Sequence, residues 1–172
     1  MAPNIDFAAL TLKDALDLAI LIEEEAEERY GELTNMVGGR YEGDASDVFR
    51  HMKDAEAKHG AQLRARRAEL FGDAPRAVTR EMFWEIEAPD YGKARVFMSP
   101  RRATVIALES EKKAFAFFEG ALAHMKEGDA KVLFAELRDE ELHHRQLLEK
   151  HLKGLPVGPD VDEDAADEPA AH

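Results

Sequence analysis

Residues 49–63 read FRHMKDAEAKHGAQL and residues 134–148 read FAELRDEELHHRQLL. Each stretch holds a Glu-x-x-His motif, Glu56-Ala57-Lys58-His59 in the first and Glu141-Leu142-His143-His144 in the second. Residues three apart on an α-helix share a face, so the carboxylate and the imidazole of each motif can reach one metal ion. Stepping by three and four from Glu56 meets Phe49, Met52, His59 and Leu63. The same steps from Glu141 meet Phe134, Leu137, His144, Leu148 and Leu152. Both are apolar stripes, so both motifs point into a core. The competing register, Glu140 with His143, has the charged Glu136 one turn back and faces solvent instead.

Two more helical patterns each place a glutamate in the same situation. Glu23 sits among Leu16, Ala19, Ala26, Tyr30 and Leu33, while Glu24, Glu25, Glu27 and Glu28 fall on more polar faces. Glu111 sits among Thr104, Ala107, Ala114, Phe118 and Leu122, whereas Glu109 shares a face with Arg102, Lys112 and Lys113. Tyr30 and Phe118 read as core packing; His51, His124 and His151 read as solvated. A faint repeat joins the halves: Glu23-x-x-Ala26-x-x-x-Tyr30 echoes Glu111-x-x-Ala114-x-x-x-Phe118, just as Glu56-x-x-His59 echoes Glu141-x-x-His144.

Punctuation marks the four helices, at about residues 11–36, 46–71, 99–125 and 129–153. Thr11 is a capping residue with Asp14 in the first turn, and Gly38-Gly39 stops that helix. Gly72 and Pro75 stop the second. Ser99-Pro100 is a capping serine followed by proline at the first helical position. Gly128 precedes the fourth, and Gly154-Leu155-Pro156 ends it. Short links pair helices one with two and three with four as antiparallel hairpins. The stretch from Gly72 to Met98 contains Phe83, Trp84, Ile86, Tyr91, Val96 and Phe97, too apolar for a loose linker, and is expected to pack across the bundle. Two hairpins joined by one long crossover give an all-α, ferritin-like four-helix bundle over residues 1–153. The segment 154–172 is acidic and rich in Ala and Pro, the composition of a disordered tail.

Composition narrows the function. The 172 residues are enough for one core, and 45% apolar content is ordinary for a globular domain. Acidic residues number 36 against 23 basic ones, a net charge of −13. That charge opposes nucleic-acid binding, which needs clustered positive charge, and suits cations. No cysteine occurs, which removes disulfides, zinc–thiolate sites and iron–sulfur clusters from these residues. No apolar run approaches the roughly 20 residues that span a bilayer, and the N-terminus does not read as a signal peptide. The expected location is the cytoplasm, with no membrane partner.

Placing one carboxylate in a low-dielectric interior costs on the order of 20 kcal/mol in the idealised limit, and several kcal/mol in practice. Four converging carboxylates also repel one another. Two divalent cations cancel four negative charges, with neutral imidazoles completing the shell; oxygen and imidazole donors suit iron or manganese over thiophilic metals.

The pieces Glu23…Tyr30, Glu56-x-x-His59, Glu111-Lys112-Lys113-Ala114…Phe118 and Glu141-x-x-His144 together resemble the rubrerythrin branch of the ferritin-like superfamily over most of residues 11–153. The resemblance implies a carboxylate-bridged centre of two iron ions, which zinc or manganese could occupy in a purified sample. By that analogy Glu56 and Glu141 bridge the ions, Glu23 and Glu111 are terminal ligands, and His59 and His144 bind one ion each. It further implies an oxidoreductase of ferroxidase or peroxidase type, using dioxygen or hydrogen peroxide, or alternatively an iron-storage protein in which ferroxidation only loads iron. A homodimer is expected. Two departures stand out. The four-cysteine iron site of a full rubrerythrin is missing, so an external electron-donor protein is required. Where the family carries an extra glutamate one turn from the third-helix ligand, this chain has Leu108 and Ala114.

Overall fold

The computed structural model describes residues 5–39, 41–82 and 86–157. Four long helices form the body: α1 (Leu12–Val37), α2 (Ala45–Phe71), α3 (Pro100–Leu122) and α4 (Asp129–Gly154). Single turns of 3₁₀-helix occur at Phe7–Ala9, Arg80–Met82 and Tyr91–Lys93. Among the described residues there is no β-strand. The fold is the ferritin-like four-helix bundle expected from the sequence. Phe83, Trp84 and the acidic tail from residue 158 lie outside the described residues.

The helix starts follow their local chemistry. The Thr11 hydroxyl accepts from the Asp14 amide at 3.2 Å, Asp44 from the Asp47 amide at 3.2 Å and Ser99 from the Arg102 amide at 3.0 Å. Each satisfies an amide that the helix itself leaves unpaired. Gly72 ends α2 at φ 53°, a left-handed conformation that costs glycine nothing. α3 stops earlier than its sequence pattern suggests, at Leu122, and Met125 is buried in the turn beyond it.

α1 packs chiefly on α2, and α3 on α4; the two hairpins then meet through α2 with α3 and α1 with α4. Two apolar clusters result. One joins Leu16, Leu18 and Ile20 of α1 to Leu63, Phe118, Phe134 and Leu137. The other joins Tyr30 and Leu33 to Phe49, Met52, Ile106 and Ala107. Along every helix the level between these clusters is occupied by a glutamate. Glu23 follows Ile22 and precedes Ala26, Glu56 lies between Met52 and Leu63, Glu111 lies between Ala107 and Ala114, and Glu141 follows Leu137. The crossover does lie against the bundle, with Val78, Ile86, Ala88 and Ala94 buried. Val96 and Phe97, counted with its apolar content, are 56% and 71% exposed. Leu70, Val132 and Leu147 also face outward.

Phe134 is fully buried and makes edge contacts with Phe7 and Phe118. Phe134→Ala is expected to cost about 3–5 kcal/mol in urea unfolding. Leu147→Ala, on the same helix but half exposed, is expected to change stability by less than about 0.5 kcal/mol. Similar losses in both variants would contradict this packing of α4.

Candidate metal centre

The six sequence-selected residues are brought together. Glu23, Glu56, Glu111 and Glu141 are each at most 2% exposed, one from each helix. His59 and His144 flank them, their rings stacked with centroids 4.8 Å apart and planes 3° from parallel. Three groups of donor atoms, each within 4.8 Å of one another, could hold a metal ion: Glu23, Glu56 and His59; Glu56, Glu111 and His144; and Glu23, Glu87 and Glu141. The His144 Nδ1 lies 3.1 Å from Glu111 Oε2, and the His59 Nδ1 lies 3.9 Å from Glu56 Oε2. Glu140 and His143, set aside in the sequence, are exposed.

The third group contains a residue that the helical pattern missed. Glu87 lies in the crossover, on no helix, yet it is 1% exposed. No periodicity flags a glutamate in a segment without periodic structure. The available hint was the apolar setting of Ile86 and Ala88 on either side. A second reassignment concerns Glu25, placed on a polar face by spacing. It is 5% exposed and pairs with Arg29, four residues on, at 3.3 Å.

Most carboxylate oxygens of the cluster lack hydrogen-bond partners. Both carboxylate oxygens of Glu56 and of Glu87 are buried with no hydrogen-bond partner, as is one oxygen each of Glu23, Glu111 and Glu141. Glu56 and Glu87 lie close enough to share a proton, but two ionised carboxylates cannot donate to each other. Burial, reinforced by the neighbouring carboxylates, pushes Glu23, Glu87 and Glu141 well above the usual glutamate range. Burial and the charge of Glu111 raise Glu56 to about 7. Burial and the neighbouring His144 lower His59 to about 4. For His144 burial acts downward, but the hydrogen bond and charge of Glu111 outweigh it and raise the pKa.

Asp17 supplies the contrast within α1. It is also fully buried, but Arg67 donates to it at 2.7 Å, and Lys13 and Arg76 stand at 3.2 and 3.6 Å. Burial would raise its pKa; the bond from Arg67 turns the net shift downward. The chain therefore does provide cations for a buried carboxylate where the carboxylate is structural. At the level of Glu23 it provides carboxylates and imidazoles.

The cluster is closed on the carboxylate side and opens at the histidines, whose side chains are 16% and 15% exposed. A cleft of about 170 Å³ between α2 and α4 reaches His59, lined also by Gln62, Arg66, Glu136 and Glu140. Deep in the cluster, the fully buried Tyr30 feels the charges of Glu111 and Glu56, and with burial as the leading cause its hydroxyl is raised well above the usual range.

Among solved structures, the chain is similar to an uncharacterized conserved protein from Magnetospirillum magnetotacticum MS-1, with 28% identity and a TM-score of 0.67, over 87% of this chain and 98% of that one. It shares the fold of a hypothetical protein from Pyrococcus furiosus, at 22% identity and a TM-score of 0.53, over 84% and 89% of the two chains. A comparison with curated proteins finds no match. Among the described residues, no helix is long and apolar enough to cross a membrane. The rubrerythrin family model matches residues 14–152, the whole bundle with its glutamate and histidine cluster, and the chain belongs to the rubrerythrin family.

Proposed function

We propose that this protein is a di-iron carboxylate oxidoreductase that reduces dioxygen or hydrogen peroxide with electrons from a separate donor protein. The observation that carries the reading is the set of buried carboxylate oxygens without partners at the centre of the bundle. Such groups stay buried at a tolerable cost only when a cation or a proton meets them. The donor set is oxygen and imidazole, which fits iron.

Glu23, Glu56, Glu111, Glu141, His59 and His144 would hold the ions. Glu56 belongs to both histidine groups, which suits a carboxylate shared between two ions. Two bound iron ions would supply two electrons at one place, a redox capacity that these side chains lack. The chain's own residues do the remainder. The apolar clusters on both sides exclude water from the carboxylates, and the cleft beside His59 gives a small oxidant a way in. These 172 residues hold no cysteine for a four-cysteine iron site, which supports a separate donor. A homodimer is the proposed assembly.

Anaerobic addition of two ferrous ions per chain, followed by air or peroxide, tests the reading. Repeated oxidation sustained by an added reductant, in a dimer by sizing chromatography, is expected. A large shell that accumulates hundreds of irons would favour storage, and no iron uptake would overturn both. Glu56→Ala or His144→Ala is expected to weaken iron binding by at least about tenfold while helical ellipticity stays unchanged. Stoichiometric iron retained in either variant would contradict the ligand set.

The metal-free protein is expected to lose stability as pH rises through the neutral range. A glutamate whose folded pKa is raised above the ordinary 4.5 contributes stability below that pH, and loses it as pH rises through its folded pKa. For Glu56 that window runs from 4.5 to about 7, and Glu23, Glu87 and Glu141 extend it upward. His59, lowered from 6.5 to about 4, acts in the opposite sense over part of the window but is outnumbered. The melting temperature of chelator-treated protein is therefore expected to fall between pH 5 and pH 7.5, and manganese is expected to abolish the fall. A chelator-treated protein that grows more stable over that range would contradict the burial of these groups.

A further inference from the structure

We propose that Glu87 is a further ligand to the metal pair, supplied by the crossover, so that metal binding fastens the crossover onto the bundle. This rests on the di-iron reading above and extends it to a residue outside the four helices.

Placement is the first argument. Glu87 contributes a donor atom within 4.8 Å of those of Glu23 and Glu141, and both of its carboxylate oxygens are buried without a partner. Its backbone is held in that position by the two residues that follow. The Lys113 ammonium donates to the Ala88 carbonyl at 2.7 Å, and the Arg29 guanidinium donates to the Pro89 carbonyl at 3.3 Å. Arg29 also lies over the Tyr91 ring at 4.2 Å and pairs with Glu25. Asp90 then closes the next turn by accepting from the Gly92 amide at 2.8 Å. Helices α1 and α3, which carry Glu23 and Glu111, are thus the same helices that clamp the Glu87 segment.

Charge is the second argument. Five carboxylates carry one more negative charge than two divalent cations neutralise. Lys113, whose positive charge acts on Glu87, stands at the position that supplies the difference. Without the ions, Glu87 is a buried acid facing four others, and the crossover is held only by its carbonyl contacts and by Val78, Ile86, Ala88 and Ala94. With them, the same carboxylate becomes an anchor point.

A bland alternative is a neutral glutamic acid that donates one hydrogen bond to Glu56. Glu87→Gln separates the two, because glutamine keeps the shape and a donor but loses the charge. Hydrogen exchange of full-length protein, metal-free and loaded with manganese alone, is the measurement. In the wild type, amides within residues 86–94 are expected to exchange at least about tenfold more slowly on loading. In Glu87→Gln, manganese affinity is expected to fall at least about tenfold. Metal-free stability near neutral pH is expected to rise, since glutamine fills the buried position without the cost of holding an acid protonated there, and the response of residues 86–94 to manganese is expected to vanish. A variant that binds manganese as tightly as the wild type, with the crossover responding equally, overturns the role of Glu87 and leaves the six-residue centre standing. A wild type that binds no manganese or iron at all overturns both.

Discussion

Five carboxylates buried at one level of a helical bundle are the constraint that the rest of the structure answers to. Four of the five glutamates need a helix that runs past the centre, so all four helices are long and uninterrupted, and each carries its acidic residue near its midpoint. The apolar clusters above and below supply the folding energy that the middle layer cannot. The acidic layer and the apolar packing are thus segregated along the bundle axis rather than mixed through the core.

Asp17 and Glu23 show that this is placement and not accident. They lie on one helix, both buried, and the chain treats them in opposite ways. Asp17 is met by Arg67, Lys13 and Arg76, and its carboxyl titrates lower than usual. Arg67 goes on to bond the carbonyls of Gly72 and Ala74, so this ion pair ties the end of α2 to the start of the crossover. Glu23 is met by Glu56, Glu87 and Glu111, and its carboxyl titrates higher. A cluster left uncompensated beside a compensated one is a candidate site for cations from outside the chain, as proposed above.

The bundle was legible in the sequence because its signals are local and repeated. Thr11 and Ser99 cap as their spacing suggested, and the inward register of Glu56 and Glu141 followed from counting turns. What escaped was set by tertiary context. Glu25 looked solvated by spacing, yet the crossover closes over Arg29 and draws the pair under cover. Glu87 sits in a segment with no period to count, and the bonds that hold that segment down, from Lys113 and Arg29 to the Ala88 and Pro89 carbonyls, come from far away in the chain. Val132 and Leu147 are apolar residues of α4 that face outward, since residue type does not report what covers a position.

Anomalous diffraction from crystals grown with manganese tests the central claim most directly. Two anomalous peaks are expected inside the bundle, both bounded by Glu23, Glu56, Glu111 and Glu141, with His59 and His144 at their open side. Electron density that shows these glutamates turned outward to water, or metal peaks confined to the acidic surface, would contradict that claim.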